Sequence, residues 1–128
     1  GYYGKIRKEG RGFNSQEWRY SQTMALAQAL PPNMIIYSNG SDILRFVKDI
    51  EARPLPKMWS PYSLEPNPRF EPELEDLRRM CGEGKAAVIL FNGVTWRAYF
   101  PSAVRMDLQS DRRIERIMAA DGALYRAK

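Results

Sequence analysis

Histidine is absent from this 128-residue sequence, and Cys81 is its only cysteine. Without histidine the chain loses the commonest general base and metal ligand, so serine–histidine, cysteine–histidine and zinc-hydrolase chemistry are excluded. A lone cysteine rules out an internal disulfide and any multi-cysteine zinc or iron–sulfur site. Cys81 lies among apolar positions and reads as packing rather than as a nucleophile. Apolar runs are short as well. None approaches the roughly 20 residues that a spanning helix needs, so nothing in the chain crosses a bilayer by itself. Glycine-rich phosphate and dinucleotide fingerprints are missing, and no cofactor or metal is implied.

What is present is the composition of a folded domain: 44% hydrophobic and 27% charged residues, with a net charge of +5. The length suits one domain with one sizeable core. The positive charge comes mainly from arginine spread along the whole chain. With no recognisable RNA- or DNA-binding motif, that spread reads as a solvated face and argues against a nucleic-acid partner. Gly1 stands where a methionine would begin a gene product, which suggests an excised or processed piece.

Residues 1–13 are basic, with Lys5, Arg7, Lys8 and Arg11 among glycines, and read as a tether to a single domain at 14–128. Asn14 and Glu17 have capping-box spacing, and Trp18, Gln22, Ala25, Leu26, Ala29 and Leu30 recur at helical spacing until Pro31-Pro32 stops them. Met34 to Tyr37 is short and apolar, as in a strand covered on both faces. A helix follows, capped by Ser41 or Asp42, with Ile43, Leu44, Phe46, Val47 and Ile50 as its buried stripe. Residues 53–72 carry six of the nine prolines together with Trp59, Tyr62 and Phe70, and are expected to form a long surface loop with at most a short strand near Arg53 to Met58.

Pro72 and the acidic residues Glu73, Glu75 and Asp76 fit a helix start, with Leu74, Leu77 and Met80 or Cys81 buried and Gly82 and Gly84 ending it. Lys85 to Phe91 is a second buried strand, parallel to the first because a helix intervenes. Thr95 to Leu108 is helical in two pieces divided by Pro101, offering Trp96, Tyr99, Phe100, Val104 and Leu108 for burial. Arg112 to Ala119, the turn at Asp121-Gly122 and Ala123 to Arg126 close the chain as an antiparallel hairpin. The expected architecture is a three-layer α/β/α fold with a small, mainly parallel sheet and that hairpin at one edge.

Parallel strands ending at Tyr37 and Phe91 bring Ser38-Asn39-Gly40 and Asn92-Gly93 to one edge of the sheet, where open α/β folds bind ligands beside helix amino ends. Asp42 and Arg97 add a carboxylate and a guanidinium to that rim, so Ser38, Asn39, Gly40, Asp42, Asn92 and Arg97 form the candidate ligand-binding set. The same residues also make an ordinary turn and cap, with Gly40 supplying a permissive backbone. No catalytic residue stands out.

Three stretches carry a family likeness: Gly10-Arg11-Gly12-Phe13-Asn14-Ser15-Gln16-Glu17-Trp18, Ile36-Tyr37-Ser38-Asn39-Gly40-Ser41-Asp42 and Ala120-Asp121-Gly122-Ala123-Leu124-Tyr125-Arg126. In this order they resemble the soluble carboxy-terminal region of bacterial polytopic membrane glycosyltransferases of the dolichyl-phosphate-mannose mannosyltransferase type. The resemblance implies a lipid-linked sugar donor handled by a membrane domain whose acidic catalytic residues lie in an early extracytoplasmic loop. No such loop is present in this sequence, so no catalytic role is carried over. It further implies a non-catalytic accessory domain on the periplasmic face, partnered by its own membrane domain and binding a glycan or lipid headgroup. Lys5, Arg7, Lys8 and Arg11 would then face anionic lipid beside the last membrane helix.

Two other classes remain open. One is a free-standing α/β ligand-binding protein or enzyme using the same crevice. The other is a protein-interaction module acting through the 53–72 loop.

Overall fold

The computed structural model describes residues 18, 20–60, 63, 65–94 and 101–128. Its elements run α1 (Gln22–Gln28), β1 (Ile35–Ser38), α2 (Ser41–Lys48), β2 (Arg53–Pro54), α3 (Phe70–Gly82), β3 (Ala86–Phe91), α4 (Pro101–Gln109), β4 (Ile114–Ala119) and β5 (Gly122–Ala127). The five strands form one sheet in the order β2-β1-β3-β5-β4. β1 pairs in parallel with both β2 and β3, while β5 is antiparallel to β3 and β4. The expected α/β architecture with a closing hairpin at one edge is therefore what the chain adopts.

Side chains alternate across a strand, so a central strand covered on both faces must be apolar throughout. All six residues of β3 are buried. Ala87, Ile89 and Phe91 join α1 and α2 through Met24, Ala27, Ile43 and Leu44. Val88 and Leu90 join α3 and α4 through Leu74, Leu77, Val104 and Leu108. Two core clusters on opposite faces of the sheet make three layers. The connections progress in opposite directions across the sheet on the two sides of β1: β1 leads outward to β2 through α2, and α3 then carries the chain back past β1 to β3. That reversal is the topological switch point at which open α/β sheets form their crevice.

Several local expectations are corrected. The first helix does not run unbroken from Trp18. Ser21 is extended, with ψ of 123°, and its hydroxyl accepts a hydrogen bond from the Met24 N–H at 3.0 Å, so α1 starts at Gln22. The inward residues are then Thr23, Met24, Ala27 and Leu30, whereas Gln22, Ala25 and Ala29 are exposed. In α2 the N-cap is Gly40 rather than Ser41 or Asp42, and Phe46 points outward at 73% exposure. α3 begins at Phe70, two residues before Pro72, which sits in the first turn where a missing N–H breaks no helical hydrogen bond.

The described residues of the 53–72 stretch carry pairing that a plain loop lacks. A bridge pairs Trp59 with Pro66, and the Ser60 and Asn67 amides donate to the Glu65 and Met58 carbonyls. The basic tether at 1–13, the Asn14 cap, Tyr62, and the Thr95 to Phe100 segment with Arg97 lie outside the described residues.

Asp121, in the β4–β5 turn, ties the hairpin to α1. Its carboxylate accepts hydrogen bonds from Thr23 N at 3.0 Å, from Thr23 Oγ1 at 2.7 Å and from the Ser21 hydroxyl. Burial acts to raise this carboxyl, but the hydrogen bonds from Ser21 and Thr23 outweigh it and hold the group below its ordinary value. Its backbone carbonyl also accepts from Asn92 N at 2.9 Å.

Candidate functional site

At the switch point the β1–α2 turn and the end of β3 lie side by side, as their parallel register requires. Asn39 is 1% exposed. Its Nδ2 donates to the carbonyls of Phe91 at 2.9 Å and Val94 at 3.1 Å, and its Oδ1 accepts from Phe91 N at 2.9 Å. Ser38 is fully buried, and its hydroxyl accepts from Gly40 N at 2.9 Å. At Gly40 a Cβ would come within 2.7 Å of the Phe91 ring, so only glycine fits the turn without moving that ring. The polar groups of Ser38 and Asn39 are thus directed into the turn, holding two strand ends together.

Of the other rim candidates, Asp42 is exposed and accepts from the Ile43 N–H at 3.0 Å, and Asn92 is exposed in the turn after β3. The structure brings Ser38, Asn39, Gly40 and Asn92 into one neighbourhood around the Phe91 end of β3. Arg97 is outside the described residues.

The carboxyl ends of β1 and β2 open instead onto a groove of about 470 Å³ between the sheet edge and the first half of α3. This lies within the range of roughly 300–1,000 Å³ typical of small-molecule sites. Tyr37 and Arg53 are register partners on adjacent parallel strands, so their side chains share one face. The Arg53 guanidinium carbon stands 5.8 Å from the centre of the Tyr37 ring, and Arg53 Nη1 donates to the Tyr37 hydroxyl at 3.3 Å. Pro54, Leu55 and Pro56 continue the chain along the groove, and Glu73 and Asp76 face it from α3. Asn67 closes it: its Nδ2 donates to the Lys57 carbonyl at 2.7 Å and its Oδ1 accepts from Arg69 N at 3.0 Å, which holds the loop against the start of α3.

Sequence reasoning missed this groove. The available signal was Arg53 following a helix after Tyr37, at the start of a proline-interrupted strand. Only the register β1 takes with β2 makes the two residues neighbours.

A larger cleft of about 610 Å³ lies at the other end of the sheet, between the end of α1, the start of β1 and the end of α2. Its charged lining is Arg45, Asp49, Glu51 and Arg53, the last shared with the groove, and the Arg45–Asp49 pair, at 4.0 Å, is largely solvated. Size favours this cleft, but the smaller groove has the aromatic ring, the stacked guanidinium and the carboxyl-end location that ligand binding uses.

Cys81 is completely buried, and its Sγ lies 3.6 Å from the Tyr125 carbonyl. Burial above all, with Asp111 adding to it and Arg113 opposing, pushes its thiol up to about 12. A thiol held so far from ionisation is a packing element. Among the described residues no group of three or more acidic or cysteine side chains is placed to hold a metal ion. Nor is any helix among them long and apolar enough to cross a membrane. No protein-family model matches the chain, and no match is found among curated proteins or solved structures.

Proposed function

We propose that this chain is a non-catalytic accessory domain of a membrane glycosyltransferase-like protein, placed on the extracytoplasmic face, and that it binds a glycan or the sugar of a lipid-linked donor. One observation carries the binding part of this reading. The groove beside Tyr37 combines an aromatic ring, a stacked guanidinium and two carboxylates, Glu73 and Asp76, around a cavity large enough for a sugar. Sugars present apolar ring faces and many hydroxyls, so they are held by aromatic or proline surfaces edged with donors and acceptors. The link to a membrane protein rests on the three sequence stretches that resemble that family.

The groove, rather than the Asn39 rim, is the expected place of contact, because the Asn39 amide is already bonded to Phe91 and Val94. The test is a titration of the isotopically labelled chain with soluble mono- and disaccharides, followed through its amide resonances. Shifts gathered at Tyr37, Asn67, Glu73 and Asp76, which line the groove and not the cleft, support the reading. Shifts confined to Asn39 and Asn92, or to the cleft by Arg45 and Asp49, would overturn the placement, and none at any saccharide would overturn sugar binding.

A further inference from the structure

We infer that the groove selects a sugar carrying an anionic group, a uronate or a sugar phosphate, with Arg53 as the anion anchor. This rests on the sugar-binding reading of the same groove. Four charged residues line the groove, Arg53, Lys57, Glu73 and Asp76, and they are not equivalent: Arg53 is the cation fixed against the Tyr37 ring. Glu73 has Arg69 at 3.9 Å and Asp76 has Arg79 at 3.3 Å, so each carboxylate has a cationic neighbour on or beside its own helix. Arg53 has none: its hydrogen bond goes to the neutral Tyr37 hydroxyl, and among the described residues no carboxylate stands within ion-pair distance of it.

The Tyr37 ring and strand pairing fix where the Arg53 guanidinium lies, so little ordering entropy is lost when it takes a ligand. Its remaining N–H groups match the paired oxygens of a carboxylate or phosphate.

A bare anion fits poorly, because Glu73 and Asp76 share the cavity and repel it. A ligand with negative charge at one end and hydroxyls at the other satisfies both sides. The anion meets Arg53, the hydroxyls donate to Glu73 and Asp76, and an apolar ring face lies along the exposed Pro54. Such a sugar could be an acidic residue of a polysaccharide or the phosphorylated sugar of a lipid-linked donor, which share this chemistry.

Calorimetric and amide-shift titrations with glucose, glucuronate, glucose 1-phosphate and inorganic phosphate test the inference, on the chain and on its Arg53→Gln variant. Arg53 is exposed, so the variant keeps the fold, which circular dichroism verifies. Glucuronate or glucose 1-phosphate should bind at least about tenfold more tightly than glucose, and in Arg53→Gln the acidic sugars should fall to whatever affinity that variant retains for glucose. The better of the two anions indicates the source, glucuronate a polysaccharide and glucose 1-phosphate a lipid-linked donor. Equal binding of glucose and both acidic sugars in the groove overturns the anion preference and leaves sugar binding intact. Inorganic phosphate binding as tightly as glucose 1-phosphate shows a simple anion site and overturns it too. If no sugar moves groove resonances, both readings fall together.

Discussion

Asn39 and Phe91 are joined as two peptide groups would be: the Asn39 side chain donates to the Phe91 carbonyl and accepts from the Phe91 N–H, both at 2.9 Å. β1 ends at Ser38, and Asn39 already belongs to the turn, yet its carboxamide continues the β1–β3 ladder for one further step. The second Nδ2 hydrogen goes to the Val94 carbonyl at 3.1 Å, so the amide also fixes the chain leaving β3. A side chain in this role is a strut, and its value appears as stability.

Replacing Asn39 by alanine strands the Phe91 N–H and two carbonyls in a buried site. The expected loss is about 2–4 kcal/mol. Asn39→Asp should do at least as much harm, since it puts an acceptor where a donor faces two carbonyls. Urea unfolding midpoints measure both, and a loss below ~1 kcal/mol for Asn39→Ala would mean that water or a shifted backbone takes over the amide's work.

Gly122 has less room than Gly40. A Cβ at Gly122 would fall 2.2 Å from the Leu90 backbone oxygen and 2.6 Å from Thr23 Oγ1, whereas at Gly40 it meets a phenylalanine ring that can turn aside. Gly122→Ala should therefore destabilise by more than Gly40→Ala, for which about 1–3 kcal/mol is expected. Thermal denaturation of the two variants gives the order, and the reverse order would contradict the placement of the β4–β5 turn.

Acid should loosen the bond between the hairpin and α1. The Asp121 carboxyl is held below its ordinary value in the folded chain, so the stability it contributes is present above the unfolded-state value and is lost as pH falls through the folded one. Asp121→Asn removes that dependence. Its stability should fall less steeply than that of the parent chain as pH drops below about 4. Parallel acid-unfolding curves for the two proteins would show that Asp121 does not titrate with folding.

Buried and pushed up to about 12, the Cys81 thiol should resist a thiol reagent at pH 8 in the native state and react fully once the chain is unfolded by guanidinium. Rapid native labelling would show that α3 opens readily around it.

Much of this architecture was legible because apolar residues fall in short runs bounded by turns. Lys85 to Phe91 read as a strand covered on both faces, and Asp121-Gly122 announced the hairpin one residue late, since the turn is Ala120-Asp121 and Gly122 already pairs with Ala119. Position along a helix was less legible. Thr23 is buried and Ala25 is not, because Ser21, held by Asp121 100 residues away, decides where α1 begins. The switch point was legible too, since two strand ends with polar turns announce it. Whether Asn39 faced a ligand or Phe91 depended on a tertiary distance. The groove was hidden for the same reason: Tyr37 and Arg53 meet only through the register of a two-residue strand, and proline-rich sequence does not specify register.

The most direct test of the sugar-binding account is an intermolecular proton–proton contact between a bound sugar and the Tyr37 ring, measured by nuclear Overhauser spectroscopy with glucuronate as ligand. The account predicts contacts from sugar ring protons to the Tyr37 aromatic protons and to the exposed Pro54. Contacts only to Met34, Pro31 and the Arg45 side chain, in the cleft at the other end of the sheet, would contradict it.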